Sequence, residues 1–107
     1  MKELKEILFG VNIDSVYGDT NLSISGISFD SRQIKQNNIF VAIKGYDLDG
    51  HNYIDQAILN GAKCIVCQIL PEKIVNSITY IIVKNSRTEY SKICSNFFDN
   101  PLSLIHI

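Results

Sequence analysis

The sequence predicts an α/β fold, with a small mixed or largely parallel sheet flanked by helices. Three observations carry this. Short apolar runs of strand length, such as Ile39-Phe40-Val41-Ala42-Ile43, alternate along the chain with amphipathic segments of helical spacing. These runs are continuously apolar, as expected of strands covered on both faces. The connections between them span only a few residues, as in alternating strand–helix units.

The elements follow in order. Leu4, Ile7 and Leu8 have helical spacing among Lys and Glu, which predicts a short helix over residues 2–9 ended by Gly10. Residues 11–19 read as irregular, with Gly18-Asp19 as a turn. Leu22, Ile24, Ile27 and Phe29 predict a strand over 22–29, kinked or bulged at Gly26. A polar connection from Asp30-Ser31-Arg32 to Asn37-Asn38 leads to the 39–43 strand. The loop 44–50 precedes a helix over 52–60, with Ile54, Ala57 and Ile58 on one face and Gly61 just beyond its end. Residues 64–67 and 79–83 are strands, and Pro71 opens a turn or helical piece to Asn76. Tyr90, Ile93, Cys94, Phe97 and Phe98 give the apolar side of a last helix over 87–98, stopped by Asp99-Asn100-Pro101.

Composition narrows the function. The 107 residues suit one small domain; 46% are hydrophobic and 20% charged, an ordinary globular balance. Ten basic against 11 acidic residues leave a net charge of -1, which argues against a nucleic-acid partner held by its phosphates. No apolar run approaches the roughly 20 residues of a membrane span. The N-terminus lacks a signal-peptide core, and three cysteines without framework spacing suit a reducing cytoplasm.

Several catalytic signatures are missing: G-x-x-x-x-G-K-[ST], G-x-G-x-x-G and H-E-x-x-H. His51 and His106 lie far apart, and no Cys/His cluster has zinc spacing, so no metal ligand is assigned. Cys64-x-x-Cys67 resembles a redox pair, but residues three apart on a strand point to opposite faces, so both read as small buried apolar residues. Cys94 reads the same way.

Two segments leave the carboxyl ends of strands, where α/β folds bind ligands. The first is Asp30-Ser31-Arg32, offering a hydroxyl and a planar guanidinium; the bland alternative is a local turn made by Asp30 and Ser31. The second is Lys44-Gly45-Tyr46-Asp47-Leu48-Asp49-Gly50-His51. Its glycines allow close backbone approach, Tyr46 suits a flat ring, and the next helix points free N–H groups at it; the alternative is a solvated turn with a helix cap.

Together the residues resemble a known family. Phe29-Asp30-Ser31-Arg32, then Ile39-Phe40-Val41-Ala42-Ile43-Lys44-Gly45, Asp49-Gly50-His51, Tyr53-Ile54, Gln56-Ala57-Ile58 and Gly61-Ala62 are similar to the N-terminal domain of Mur ligases. These ATP-dependent enzymes add amino acids to the UDP-N-acetylmuramoyl peptide of peptidoglycan. Tyr80-Ile81-Ile82-Val83-Lys84-Asn85-Ser86-Arg87, followed by Ser95-Asn96-Phe97-Phe98-Asp99-Asn100-Pro101, resembles the member that adds the third residue, meso-diaminopimelate or L-lysine, to UDP-N-acetylmuramoyl-L-alanyl-D-glutamate. The resemblance implies that residues 1–101 hold the UDP end of that substrate. Phe29 and Ser31 would lie at the uridine pocket, with Gly45, Tyr46, Asp47 and Leu48 beside it. Arg32 and His51 match motif positions, as structural or ligand-facing residues.

The resemblance further implies that ATP and Mg2+ belong to a central domain, and amino-acid selection to a C-terminal domain. Neither is expected within these 107 residues, so the resemblance implies no catalytic residue here and no activity for these residues alone. Residues 102–107, Leu-Ser-Leu-Ile-His-Ile, match the codons CTG TCT CTT ATA CAC ATC of a transposon end used in sequencing libraries. They are expected to be a non-native tail, the alternative being a strand entering the next domain. Two other readings stand beside the leading one: a stand-alone nucleotide-sugar binding module, and the N-terminal domain of the ligase that adds D-alanyl-D-alanine.

Overall fold

A computed structural model of the chain describes residues 2–45 and 48–98. The expectations for Tyr46, Asp47, the Asp99–Pro101 helix stop and the 102–107 tail lie outside the described residues. The elements run β1 (Lys2–Glu3), α1 (Leu4–Ile7), β2 (Ile13–Tyr17), β3 (Ser23–Ile24), β4 (Gly26–Ser28), β5 (Asn38–Val41), α2 (Ile54–Asn60), β6 (Ala62–Cys67), β7 (Thr79–Val83) and α3 (Ser86–Phe97). Short 3-10 turns at Ser31–Gln33 and Gly50–Tyr53 follow β4 and β5.

The sheet is mixed, as expected. Five strands lie in the order β2-β7-β6-β5-β4; β4 to β7 are parallel and β2 runs antiparallel against β7. A separate small ladder pairs β1 with β3. Both faces are covered, which explains the continuous apolar runs. Ile39, Val41, Cys64, Val66, Ile81 and Val83 face a layer containing Leu4, Ile7, Ile24 and Ile93. Phe40, Ala42, Ile65, Cys67 and Tyr80 face Ile34, Ile54, Ala57 and Ile78.

Cys64 and Cys67 therefore lie on opposite faces of the sheet. Burial pushes the Cys64 thiol far up and the Cys67 thiol up to about 12. Neither offers the thiolate that redox exchange requires.

Three segments differ from the sequence reading by more than a residue or two. Residues 11–19 are not irregular, because Ile13–Tyr17 form edge strand β2. This strand is half-exposed, and its register shifts between Ile13 and Ser15, so it lacks both an apolar run and clean alternation. The first helix shrinks to Leu4–Ile7, with Lys2–Glu3 drawn into pairing with β3. The 22–29 strand breaks at Ser25, beside the predicted kink: Ser23–Ile24 joins β1, while Gly26–Ser28 joins β5. Phe29 lies beyond that strand. Of the two forms expected for Pro71–Asn76, the structure has the turn and not the helix, anchored where the Val75 N–H donates to the Tyr80 hydroxyl at 3.1 Å.

Polar side chains, one of them buried, tie α3 to the N-terminal segment. Glu89, 4% exposed, accepts from the Asn12 N–H at 3.0 Å and pairs with Lys92 at 3.3 Å. The Asn96 side-chain amide donates to the carbonyls of Ile7 and Phe9 at 2.7 and 2.6 Å, satisfying orphan groups at the end of α1.

Candidate functional site

Because β4, β5, β6 and β7 are parallel neighbours, their carboxyl ends share one edge of the sheet. Both sequence-predicted segments, residues 29–32 after β4 and 44–51 after β5, leave that edge.

In the first segment Phe29 is 56% exposed and packs edge-on against Tyr90 of α3, with ring centroids 5.4 Å apart. Ser31 is buried, and its carbonyl accepts from the Asn60 side chain at 2.8 Å, which ties this turn to α2. The Asp30 carboxylate caps the turn by accepting the Arg32 N–H at 2.9 Å. It also takes a two-point pair from the Arg32 guanidinium, Nε to Oδ1 at 3.1 Å and Nη2 to Oδ2 at 2.9 Å. These bonds hold the Asp30 carboxyl below its usual range and raise Arg32. Tyr53, two residues beyond the second segment, lies within electrostatic reach of Arg32.

The second segment is a stapled loop. The Gly50 N–H donates to the Ile43 carbonyl at 2.8 Å, and the Gly45 N–H to Leu48 at 2.7 Å. Lys44 and Asp49 pair across it as an isolated antiparallel bridge. Gly50 sits where any side chain would collide: a Cβ would lie 2.6 Å from the Ile43 backbone nitrogen. Leu48 is 64% exposed.

Both His51 ring nitrogens are used inside the protein. Nδ1 lies 2.7 Å from Asp49 Oδ1, and Nε2 accepts the Gln68 backbone N–H at 2.9 Å. This arrangement assigns the proton to Nδ1, facing the carboxylate. Gln68 was not singled out by sequence reasoning, and Tyr90 was read only as part of the apolar side of the last helix. Gln68 is the first polar residue after the Ile65-Val66-Cys67 run, so the strand-end rule applied to β6 would have found it. A cleft of about 660 Å³ on the other flank, lined by Asn12, Asp14, Lys84, Asn85 and Glu89 among others, includes none of the predicted residues.

The loop carries a pH prediction. Asp49 accepts the His51 backbone N–H at 3.0 Å as well as the ring contact, and these bonds hold its carboxyl below the usual 3.8. A lowered folded value means that the cap's stabilisation is fully present above 3.8 and is lost as pH falls below it. In an acid titration followed by NMR, the Asp49 side-chain carboxyl carbon is expected to titrate with a midpoint below 3.8; a midpoint above 3.8 would contradict the cap.

A sheet covered on both faces, with two polar loops gathered at its carboxyl edge, defines an α/β domain of the class that binds ligands at that edge. The family described as "Mur ligase family, catalytic domain" matches residues 23–99, and the chain belongs to that family. Among its relatives, the UDP-N-acetylmuramoyl-L-alanyl-D-glutamate–2,6-diaminopimelate ligase of Phocaeicola vulgatus is 39% identical over 105 residues, covering 98% of this chain and 22% of the relative. The ligase of the same name from Clostridium tetani is 43% identical over 101 residues, covering 92% of this chain and 21% of the relative. In solved structures, MurF from Acinetobacter baumannii matches 89% of this chain and 20% of that chain, with a TM-score of 0.73 and 20% identity, a likeness of fold. The chain thus spans about one fifth of the length of these relatives.

Proposed function

We propose that this chain is the N-terminal, substrate-holding domain of an ATP-dependent ligase. That ligase would add the third amino acid, meso-diaminopimelate or L-lysine, to UDP-N-acetylmuramoyl-L-alanyl-D-glutamate in the cytoplasm. The observation that carries the reading is the similarity of nearly the whole chain to diaminopimelate-adding ligases. Residues 1–101 form the domain in this reading, and residues 102–107 are a foreign tail. The D-alanyl-D-alanine-adding alternative has less behind it, because the MurF likeness at 20% identity is one of fold.

In this reading Phe29 offers an apolar ring and Ser31 a hydroxyl for the uridine, with Gly45 and Leu48 beside it; Tyr46 and Asp47 belong to the same site by the family resemblance alone. Arg32 and His51 position the two turns, since each is already engaged by an aspartate two residues away. An anionic nucleotide is met here by a few placed groups and not by bulk charge, in keeping with a net charge of -1.

ATP and Mg2+ would serve the other domains of the parent enzyme. The residues of this chain do not fit either group: the sequence has no phosphate-binding Gly-Lys-Thr loop, and among the described residues no group of His, Cys, Asp or Glu gathers to hold a metal. No helix among the described residues is long and apolar enough to cross a membrane.

The test uses the parent-length protein and the chain in parallel. The parent is expected to consume UDP-N-acetylmuramoyl-L-alanyl-D-glutamate with ATP, and the 107-residue chain to show no turnover. Removing a stacking ring costs about 1–3 kcal/mol, so Phe29→Ala is expected to raise KM for the UDP substrate about tenfold while kcat holds. An unchanged KM, or turnover by the chain alone, would overturn the proposal.

A further inference from the structure

We infer that Gln68 and Arg87 are positioning residues that close a ring of contacts around the two stems of the 44–51 loop, at Lys44 and at residues 49–51, and hold these stems in place before any ligand arrives. The ring can be followed link by link. The Gln68 backbone N–H donates to His51 Nε2 at 2.9 Å, and His51 Nδ1 meets Asp49 Oδ1 at 2.7 Å. Asp49 pairs with Lys44 across the loop. The Lys44 carbonyl accepts from Arg87 Nη2 at 3.5 Å. Arg87 follows Ser86, whose backbone N–H donates to Gln68 Oε1 at 2.9 Å.

Gln68 thus holds two elements at once, the loop through its backbone and the first turn of α3 through its side chain. Arg87 returns from α3 to the loop's opening residue. The links join β6, α3 and the loop across 17, 18 and 43 positions of sequence, so they report tertiary placement and not local turn chemistry. The Ser86 hydroxyl is buried without a hydrogen-bond partner among the described residues, so only the backbone of Ser86 contributes to the ring.

A loop whose stems are held from both sides loses less freedom on binding, and that raises affinity without adding a contact. The consequence for a ligand rests on the reading of this loop as part of the UDP site. The ring itself does not.

The experiment has two arms. In the ligand-free chain, amide hydrogen exchange is measured at Gly45 and Gly50, which donate to Leu48 and Ile43. Gln68→Leu removes the acceptor and His51→Phe removes both ring nitrogens. Each is expected to speed exchange at these two amides about tenfold, while Ile65 and Val66 in the core stay protected. Gln68→Glu, which keeps an acceptor oxygen, should restore slow exchange, and Ser86→Ala should change nothing. The Gln68→Leu/His51→Phe double variant should match His51→Phe alone, because a ring opened once is open.

Unchanged exchange in Gln68→Leu, or a double variant about a hundredfold faster, as two independent losses would multiply, overturns the ring. In the second arm UDP is titrated into the parent-length protein, and Gln68→Leu is expected to weaken Kd about tenfold. If UDP binds and Kd is unchanged, the link to affinity is overturned. If exchange responds as expected but UDP does not bind even the unaltered protein, the ring stands and the UDP reading falls.

Discussion

Replacing Phe40 by alanine is expected to destabilise the fold by about 3–5 kcal/mol, the range for a buried Phe→Ala change. Phe40 is fully buried on β5, an inner strand paired with β4 on one side and β6 on the other. Its ring belongs to the layer containing Ile34, Ile54, Ala57 and Tyr80. These neighbours hang from different elements of the backbone, so they cannot collapse into the cavity without moving α2 or the sheet. Domains of this size hold about 5–15 kcal/mol in total, so the variant would lose a large share of it. Urea unfolding should show the midpoint fall with the slope unchanged. A loss below about 1 kcal/mol would mean that this face is not the tightly packed layer described.

The second large effect is expected at Gly61, where alanine meets two obstacles together. Its φ of +119° is a conformation that L side chains rarely adopt. A Cβ there would also lie 2.8 Å from Gln36 Cα and 2.9 Å from its nitrogen, backbone atoms that cannot swing aside. Strain of about 1–3 kcal/mol adds to an overpacking cost of about 1–3 kcal/mol. The Gly61 carbonyl accepts the Asn37 N–H at 2.9 Å, and the adjoining Asn60 holds the Ser31 carbonyl, so the damage reaches the candidate site. A fall of roughly 4–8 °C in Tm per kcal/mol is expected. Gly10→Ala is the control: its φ is +76°, but nothing lies within 4 Å of a Cβ, so it should cost less. Equal losses at the two glycines would show that the contact with Gln36 carries no weight.

What could be read from the sequence follows from where residues sit in the sheet. Ile39–Val41 and Ile65–Cys67 announced themselves because inner parallel strands bury both faces, which forces consecutive apolar residues. Edge strand β2 gave no such signal, since Asp14, Val16 and Tyr17 face solvent and the strand is held by pairing with β7. The same contrast runs through the candidate site. Asp30 and Asp49 each cap a turn two residues ahead, a local pattern legible as an aspartate before a polar turn. The contacts of Gln68, Arg87 and Tyr90 carry no local signature, because each acts on a residue from another element.

The sequence by itself determined the fold class, the buried strands, the opposite-facing cysteines, the two strand-end loops and the likeness to Mur ligases. All of these follow from periodicity, turn chemistry or ordered motifs, which are written in neighbouring residues. Only the tertiary structure decided that β2 closes the sheet, that His51 spends both ring nitrogens inside the protein, and that Gln68 joins the loop to α3. Those outcomes depend on which strands become neighbours. Strand order is set by the burial of two apolar faces at once, and no short window of sequence contains that condition.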